Sequence, residues 1–428
     1  MCDTREPTRQ RESGCRVGAG IVRESLRVLL DNRDFRRLFA ATVVSLCGDW
    51  FSFVALTDLV TELTGHPGAA AYISAAIVLP IFAVSPLAGK AADRFDRKRL
   101  LIISDLVRVP VALSLCLAAA WGNLWIAGGA VLLLGVASSF HDPASTAATP
   151  NLVDAKDLVA AQAAMGAIWG SMLFVGAGLG GIVAEALGRN VAFVIDAASF
   201  AISALLLAGI RRPTQEPRVA GAEHDTSIRE ALRYARRDPV VLRLMMAKVG
   251  VSSANGTVGL LPDFARTKFS GTNIAVGVIL AVRGIGAMLG PIFASASAGS
   301  EPSRRAITAI CGVSTLTYAL VYALLPVAPW LPLACLLVVF AHLGGGAQWA
   351  LSTYGLQIAT PDRLRGRVLS IDYGIATLAI GISSIVAGVL ADLFGIAVSC
   401  WVLATIAAVY GTGWLVWCRG MLRSGPDV

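Results

Sequence analysis

Gly89-Lys90-Ala91-Ala92-Asp93-Arg94-Phe95-Asp96-Arg97-Lys98-Arg99 places seven charges in a short gap between two long apolar runs. Lipid cannot hold such a gap, so the stretch lies at a membrane face. Its excess of Lys and Arg over Asp assigns it to the cytoplasmic face, because basic residues are retained on that side of short loops.

Working outward, the rest of the chain repeats the pattern. It has 428 residues, of which 56% are hydrophobic and 15% charged, too apolar for an ordinary soluble protein. At about 20 apolar residues per span, two bundles of about six helices use most of the length. The expected spans are 38–60, 69–88, 100–121, 124–140, 158–184, 191–210, 240–261, 274–295, 306–327, 331–359, 368–390 and 396–417. The domain reading is a cytoplasmic tail (1–37), a first bundle (38–210), a cytoplasmic linker (211–239), a second bundle (240–418) and a C-terminal tail (419–428).

The net charge of +8 raises the question of nucleic acid. Of the 36 basic residues, 29 fall in segments that this topology puts on one face, and only Arg189, Arg266 and Lys268 on the other. That is the positive-inside distribution, with both termini cytoplasmic, and it leaves no basic patch for a nucleic acid to explain. The eight cysteines show no Cys-x-x-Cys spacing and no clustered His, so neither a disulfide framework nor a metal site is expected. The polar first 37 residues, followed by a long apolar run, argue against a cleaved signal; the first span acts as the insertion signal.

An internal repeat supports the two-bundle reading. Gly-x-x-Ala-acid occurs as Gly89, Ala92, Asp93, as Gly181, Ala184, Glu185 and as Gly388, Ala391, Asp392, at the ends of spans two, five and eleven. Span eight keeps Gly290 and Ala294 without the acid, and Ala-Thr-Pro recurs at 148–150 and 359–361. Spans two, five, eight and eleven therefore read as copies of one unit. Inverted three-helix repeats nested in parallel halves produce this pattern.

Several residues carry chemistry. Asp49 lies about ten residues from Phe39, hence roughly 15 Å along the helix and near the middle of a ~30 Å core. A carboxylate there needs a cavity or a partner, so it reads either as a proton-coupling group or as a paired structural Asp. Asp105 and Arg108, spaced i, i+3, read as an intramembrane charge pair, more structural than transporting. Lys248 and Arg283 fall well inside their spans, where they serve either an anionic substrate or the balance of Asp49. Trp169, Asn255, Gln348 and Tyr354 complete the expected substrate cavity, each alone being as readily a packing residue. The run 176–181 fits Gly-x-Gly-x-x-Gly, but no βαβ unit surrounds it, and no phosphate-binding loop of an ATP-driven pump exists. No cofactor is expected.

The opening stretch resembles the loop signature of the major facilitator superfamily after its second span: a Gly, then Ala-Asp-Arg, then a basic run. The resemblance implies an all-α fold of twelve transmembrane helices in two six-helix bundles with inverted repeats. It also implies a gate built from Gly89, Asp93, Arg94, Arg97 and Asp142. Asp93 would face the start of span eleven near Arg365-Gly366-Arg367-Val368, and Asp142 would complete a charge relay with Arg97. Asp96 stands where the signature has a second Gly. The alternative for this loop is a solvated segment that only sets orientation. Residues 176–181 also resemble the family's antiporter signature, with Ala177 in place of Pro.

Further stretches resemble the bacterial branch of macrolide-efflux proteins and enterobactin exporters: Gly48-Asp49-Trp50, Leu63-Thr64-Gly65, Asp105-Leu106-Val107-Arg108 and Asp142-Pro143-Ala144. The branch implies proton-coupled export of hydrophobic or amphipathic small molecules, with drug, macrolide and siderophore-like compounds as substrate classes. The expected partners are that substrate, protons and the lipids of a bacterial inner membrane, around a monomer. The competing functions are metabolite uptake or facilitated diffusion, lipid flipping, and a non-transporting sensor. A sensor has no need of an intramembrane titratable group or a gating loop, and this chain has both.

Overall fold

The computed structural model describes residues 23–215, 228–269, 271–298 and 302–423. The basic tail before residue 23, residues 216–227 of the expected linker and the last five residues lie outside them. Among the described residues the chain is helical throughout, with no strand.

Six helices make the first bundle: α1 (Arg33–Thr64), α2 (Ala69–Arg94), α3 (Arg97–Trp121), α4 (Leu124–Leu152), α5 (Leu158–Ala186) and α6 (Arg189–Ala208). A short helix, Ile228–Arg237, leads into the second bundle. There α7 comes in two pieces (Pro239–Ser252 and Gly256–Gly259), and Leu261–Lys268 follows as a separate helix at its far end. Then come α8 (Asn273–Ala298), α9 (Arg304–Leu324), α10 (Leu331–Ala359), α11 (Asp362–Phe394) and α12 (Ile396–Trp417). Eleven are long and apolar enough to cross a membrane, and the broken α7 is the twelfth element.

Local chemistry sets the ends. The Asn32 side chain accepts from the backbone N–H groups of Asp34 and Phe35 and so starts α1, while Gly65, at φ +65°, ends it. Asp96 accepts from the Arg99 N–H at 2.8 Å and caps α3. The residue that departs from the loop signature is thus the one that turns the chain from α2 into α3. α4 runs twelve residues beyond its expected end at 140, because Ala144, Ala148 and Leu152 stay on its buried face.

The seventh span differs from the single helix expected over 240–261. Its break at Ser253–Asn255 strands the Gly256 amide, and a hydroxyl from another helix satisfies it. Ser383 Oγ on α11 donates to the Ser252 carbonyl (2.9 Å) and accepts from the Gly256 N–H (3.0 Å). Irregular backbone at membrane depth persists only with such partners.

Within the first bundle α1 packs on α5 and α6, and α3 on α4 and α6; in the second, α10 packs on α8 and α9. The bundles meet through α5 against α8 and α2 against α11, four helices that are the repeat copies named above. Leu205, Val313, Leu320 and Val409 are exposed on the outside, as a lipid-facing surface requires. Trp121, Trp125 and Trp330 project at the end remote from the chain termini, where an interfacial aromatic belt belongs.

Candidate functional site

The run 176–181 has two faces. A Cβ added at Gly180 would lie 2.7 Å from the Phe51 Cα on α1, whereas one at Gly181 would lie 2.6 Å from the Asn273 carbonyl oxygen on α8. The missing side chains therefore let α5 touch both its own bundle and the other one. Further along the same crossing, Gly170 and Gly284 approach equally closely.

Beside that crossing lies Arg283. Its guanidinium sits 5.2 Å from the Trp169 ring centre and 5.9 Å from that of Trp50, both on the opposite bundle. The two indoles meet edge-to-face at 6.0 Å. No carboxylate among the described residues forms an ion pair with Arg283, and its Nε has no hydrogen-bond partner. Cation–π contact with two rings is what holds this charge.

The first bundle holds a polar cluster. Arg108 and Asp105 lie 3.5 Å apart, both buried; Arg108 also donates to Ser45 Oγ (3.3 Å) and lies over the Phe200 ring. Asp105 accepts from Ser203 Oγ at 2.5 Å, and His141 Nε2 stands 3.6 Å from it. Asp49 is only partly buried; the charges of Arg108, Asp142, Asp105 and His141 act on it, and its own charge acts on the buried Asp196 of α6. His141 and Asp196 are absent from the residues singled out in the sequence. Asp196 has the signal that marks Asp49, a carboxylate in the middle of an apolar run.

In the second bundle Lys248 is already balanced. Its ammonium pairs with Asp372 on α11 and donates to Thr353 Oγ1 (2.9 Å), with the Trp349 ring 5.1 Å away. It is available neither to an anionic substrate nor to Asp49 in this arrangement, because its counter-ion lies on a neighbouring helix of its own bundle. Gln348 is likewise engaged inside the bundle: its amide donates to the Ala247 carbonyl and accepts from Thr315 Oγ1. Tyr354 packs on the cluster around Leu244 and Leu356. Asn255 sits at the break in α7, partly exposed. Tyr373 is half exposed and edge-to-face with Trp349.

At the end remote from the termini the bundles are sewn together by carboxylates capping helix starts. Asp392, at the end of α11, accepts from the Gly68 N–H at the start of α2 (2.9 Å) and from Tyr72 Oη (2.8 Å). Glu185, at the end of α5, accepts from the Asn273 N–H at the start of α8 (2.8 Å). Asp263 accepts from the Ala70 N–H and from Thr61 Oγ1, each at 2.9 Å. Arg266 reaches back to the Val54 carbonyl and Thr57 Oγ1. Burial pushes the Asp263 carboxyl up to about 6 against these lowering contacts.

The expected gate lies at the opposite end. A Cβ at Gly89 or at Gly366 would meet nothing within 4 Å, so neither glycine lies against a neighbouring helix in this arrangement. The Asp93 side chain lies outside the described residues. Arg94 is exposed, Arg97 donates to the Ala147 carbonyl (2.8 Å), and the Asp142 side chain is 70% exposed, 3.6 Å from His141 Nδ1.

A family model described as transmembrane secretion effector matches residues 28–421. The multidrug efflux pump Tap of Mycolicibacterium fortuitum is 29% identical over 84% of this chain and 89% of its own. Macrolide efflux protein A of Streptococcus pyogenes is 23% identical over 85% and 90%. Among solved structures, a POT family transporter bound to 5-aminolevulinic acid superposes with a TM-score of 0.71 at 13% identity, covering 92% of this chain and 97% of that one. A bacterial homolog of the human lysosomal transporter Spinster superposes with a TM-score of 0.67 at 14% identity, covering 91% and 99%. Twelve helices in two bundles, helix pairs repeated across the interface and a family match over nearly the whole length lead to one assignment: the chain belongs to the transmembrane secretion effector family of major facilitator superfamily transporters.

Proposed function

We propose that the protein exports hydrophobic or amphipathic small molecules from the bacterial cytoplasm across the inner membrane, driven by proton entry, with both termini cytoplasmic. The observation that carries the coupling is Asp49: a partly exposed carboxylate at mid-helix, acted on by a cluster with more carboxylates than obligatory cations. Such a group gains and loses a proton as its solvation changes between access states. The efflux names of the relatives support the direction and the substrate class.

The substrate contacts proposed are Trp169 and Arg283, whose planar faces lie at the meeting of the bundles, with Asn255 at the break in α7. Flat apolar molecules with a polar edge match an aromatic pair carrying one unbalanced cation.

Gating follows the repeats. Gly181 docks on α8 beside Gly277 while Glu185 caps α8, and Gly388 docks against Tyr72 while Asp392 caps α2. Gly277 and Gly366 each stand four residues after the first residue of their helices. In the opposite access state Gly89 docks beside Gly366 and Asp93 caps α11, where the positive end of the helix favours an anion.

Reconstitution in liposomes with an imposed pH gradient and a panel of lipophilic dyes and macrolides tests the function. Accumulation that collapses with a protonophore is expected. Flux that ignores the gradient would remove proton coupling, and no flux for any compound would remove export.

A further inference from the structure

We propose that Asp196 is the second half of the proton site, so that one proton is shared between the carboxyls of Asp49 and Asp196. This rests on the proton-coupling reading above and adds a residue to it.

Asp196 on α6 is 0% exposed, and neither carboxylate oxygen has a hydrogen-bond partner. The Ser52 hydroxyl acts on it without reaching hydrogen-bond geometry. A fully buried carboxylate with no donor is untenable as an anion, because nothing replaces the water it has lost. As an acid carrying a proton it is acceptable.

Its position ties it to Asp49. A Cβ at Gly48 would lie 2.8 Å from Asp196 Oδ1 and would collide with Ser199 Oγ, so only glycine lets the Asp196 carboxyl rest on the turn of α1 that carries Asp49. The charge of Asp49 acts on Asp196.

The surrounding charges leave this pair unbalanced. From α3 come Asp105 and Arg108, which pair with each other. From α4 come His141, 3.6 Å from both Asp105 and Asp142, and the exposed Asp142. The only charged residue of α5 is Glu185, at its far end. Arg108 is thus the one permanent cation near three buried or half-buried carboxylates. Two neighbouring carboxyls without a cation between them hold one proton in common and titrate as a pair.

The step makes and breaks only O–H bonds. A proton arrives on Asp49, the exposed member, and is held by the pair; it leaves through Asp49 to the other side, and the pair returns to its starting charge. Asp196 stores the proton out of reach of the substrate. It is a positioning residue for the exchange, acting through Asp49 rather than on the transported molecule.

The test compares wild type, Asp196→Asn, Asp49→Asn and the double variant, full length in liposomes. The readouts are gradient-driven accumulation, substrate exchange without a gradient, and the pH profile of transport. The expected result for Asp196→Asn is retained exchange, accumulation reduced at least about tenfold, and a profile whose midpoint moves to the acid side, as follows from removing a like-charged neighbour. The double variant should match Asp49→Asn, because without Asp49 there is no exchange left for Asp196 to assist.

A wild-type profile in Asp196→Asn, or loss of exchange and accumulation together, overturns the proposal. A wild type indifferent to the gradient overturns the coupling reading itself, and this proposal with it. Should Asp196→Asn not fold, infrared titration of the wild type and Asp49→Asn decides. A protonated-carboxyl band that changes in Asp49→Asn is expected; its absence overturns the shared proton.

Discussion

Arg283 is held by rings from the opposite bundle, so its environment changes whenever the bundles move or a molecule enters between them. Substrate binding should therefore change the fluorescence of Trp50 and Trp169, and Trp169→Phe should remove most of that signal. Arg283→Lys keeps the charge and loses the planar stack. With cation–π contacts worth about 0.5–2 kcal/mol each, affinity should fall between a few-fold and about thirty-fold while expression persists. An unchanged titration in Arg283→Lys would show that the planar stack contributes nothing to binding. For Asp49→Asn the expectation is transport that no longer follows the pH gradient, read as flux against pH. Much of this was legible in the residues. Asp49 and Arg283 stand out because a charge within an apolar run has few explanations. Asp196 carries the same mark, but its meaning depends on Gly48 of another helix, and the counter-ion of Lys248 is Asp372, 124 residues away.

At the scale of helices, twelve apolar runs and a repeated Gly-x-x-Ala-acid made the architecture readable, since hydrocarbon thickness dictates span length and small residues dictate where helices touch. The break in α7 was only partly readable. Ser252-Ser253-Ala254-Asn255-Gly256-Thr257 interrupts the apolar run 240–261, but the hydroxyl that makes a break there tolerable belongs to Ser383 on a different helix. Ser383→Ala should leave the Gly256 amide unsatisfied, at a cost of about 1–3 kcal/mol, seen as a lowered melting temperature in detergent. Gly181→Val should push α5 off α8, because its Cβ meets backbone 2.6 Å away, and so favour the arrangement open at that end. Gly89→Val should be tolerated in the present arrangement and block the opposite one. Distances between spin labels across each end distinguish the two variants; identical distance distributions in both would contradict the docking scheme.

For the molecule as a whole, Asp263 makes the seal remote from the termini sensitive to pH. Its carboxyl titrates near 6 when buried and near the ordinary 3.8 once that end opens to water. The closed form therefore holds the proton more tightly, so closure is favoured below about pH 4 and that contribution fades as pH rises through 6. Spin-label distances across this end should lengthen over that window in wild type and lose the dependence in Asp263→Asn. The seal has one more property. The first bundle contributes Glu185 to a helix of the second, and the second contributes Asp392 to a helix of the first, so the contacts are exchanged in kind, as in an isologous dimer. Each half carries both the plug and the socket. Assembly of the two halves then needs no covalent link between Thr214 and Ile228. Two co-expressed polypeptides, cut between those residues, should find each other in the membrane and transport as the single chain does.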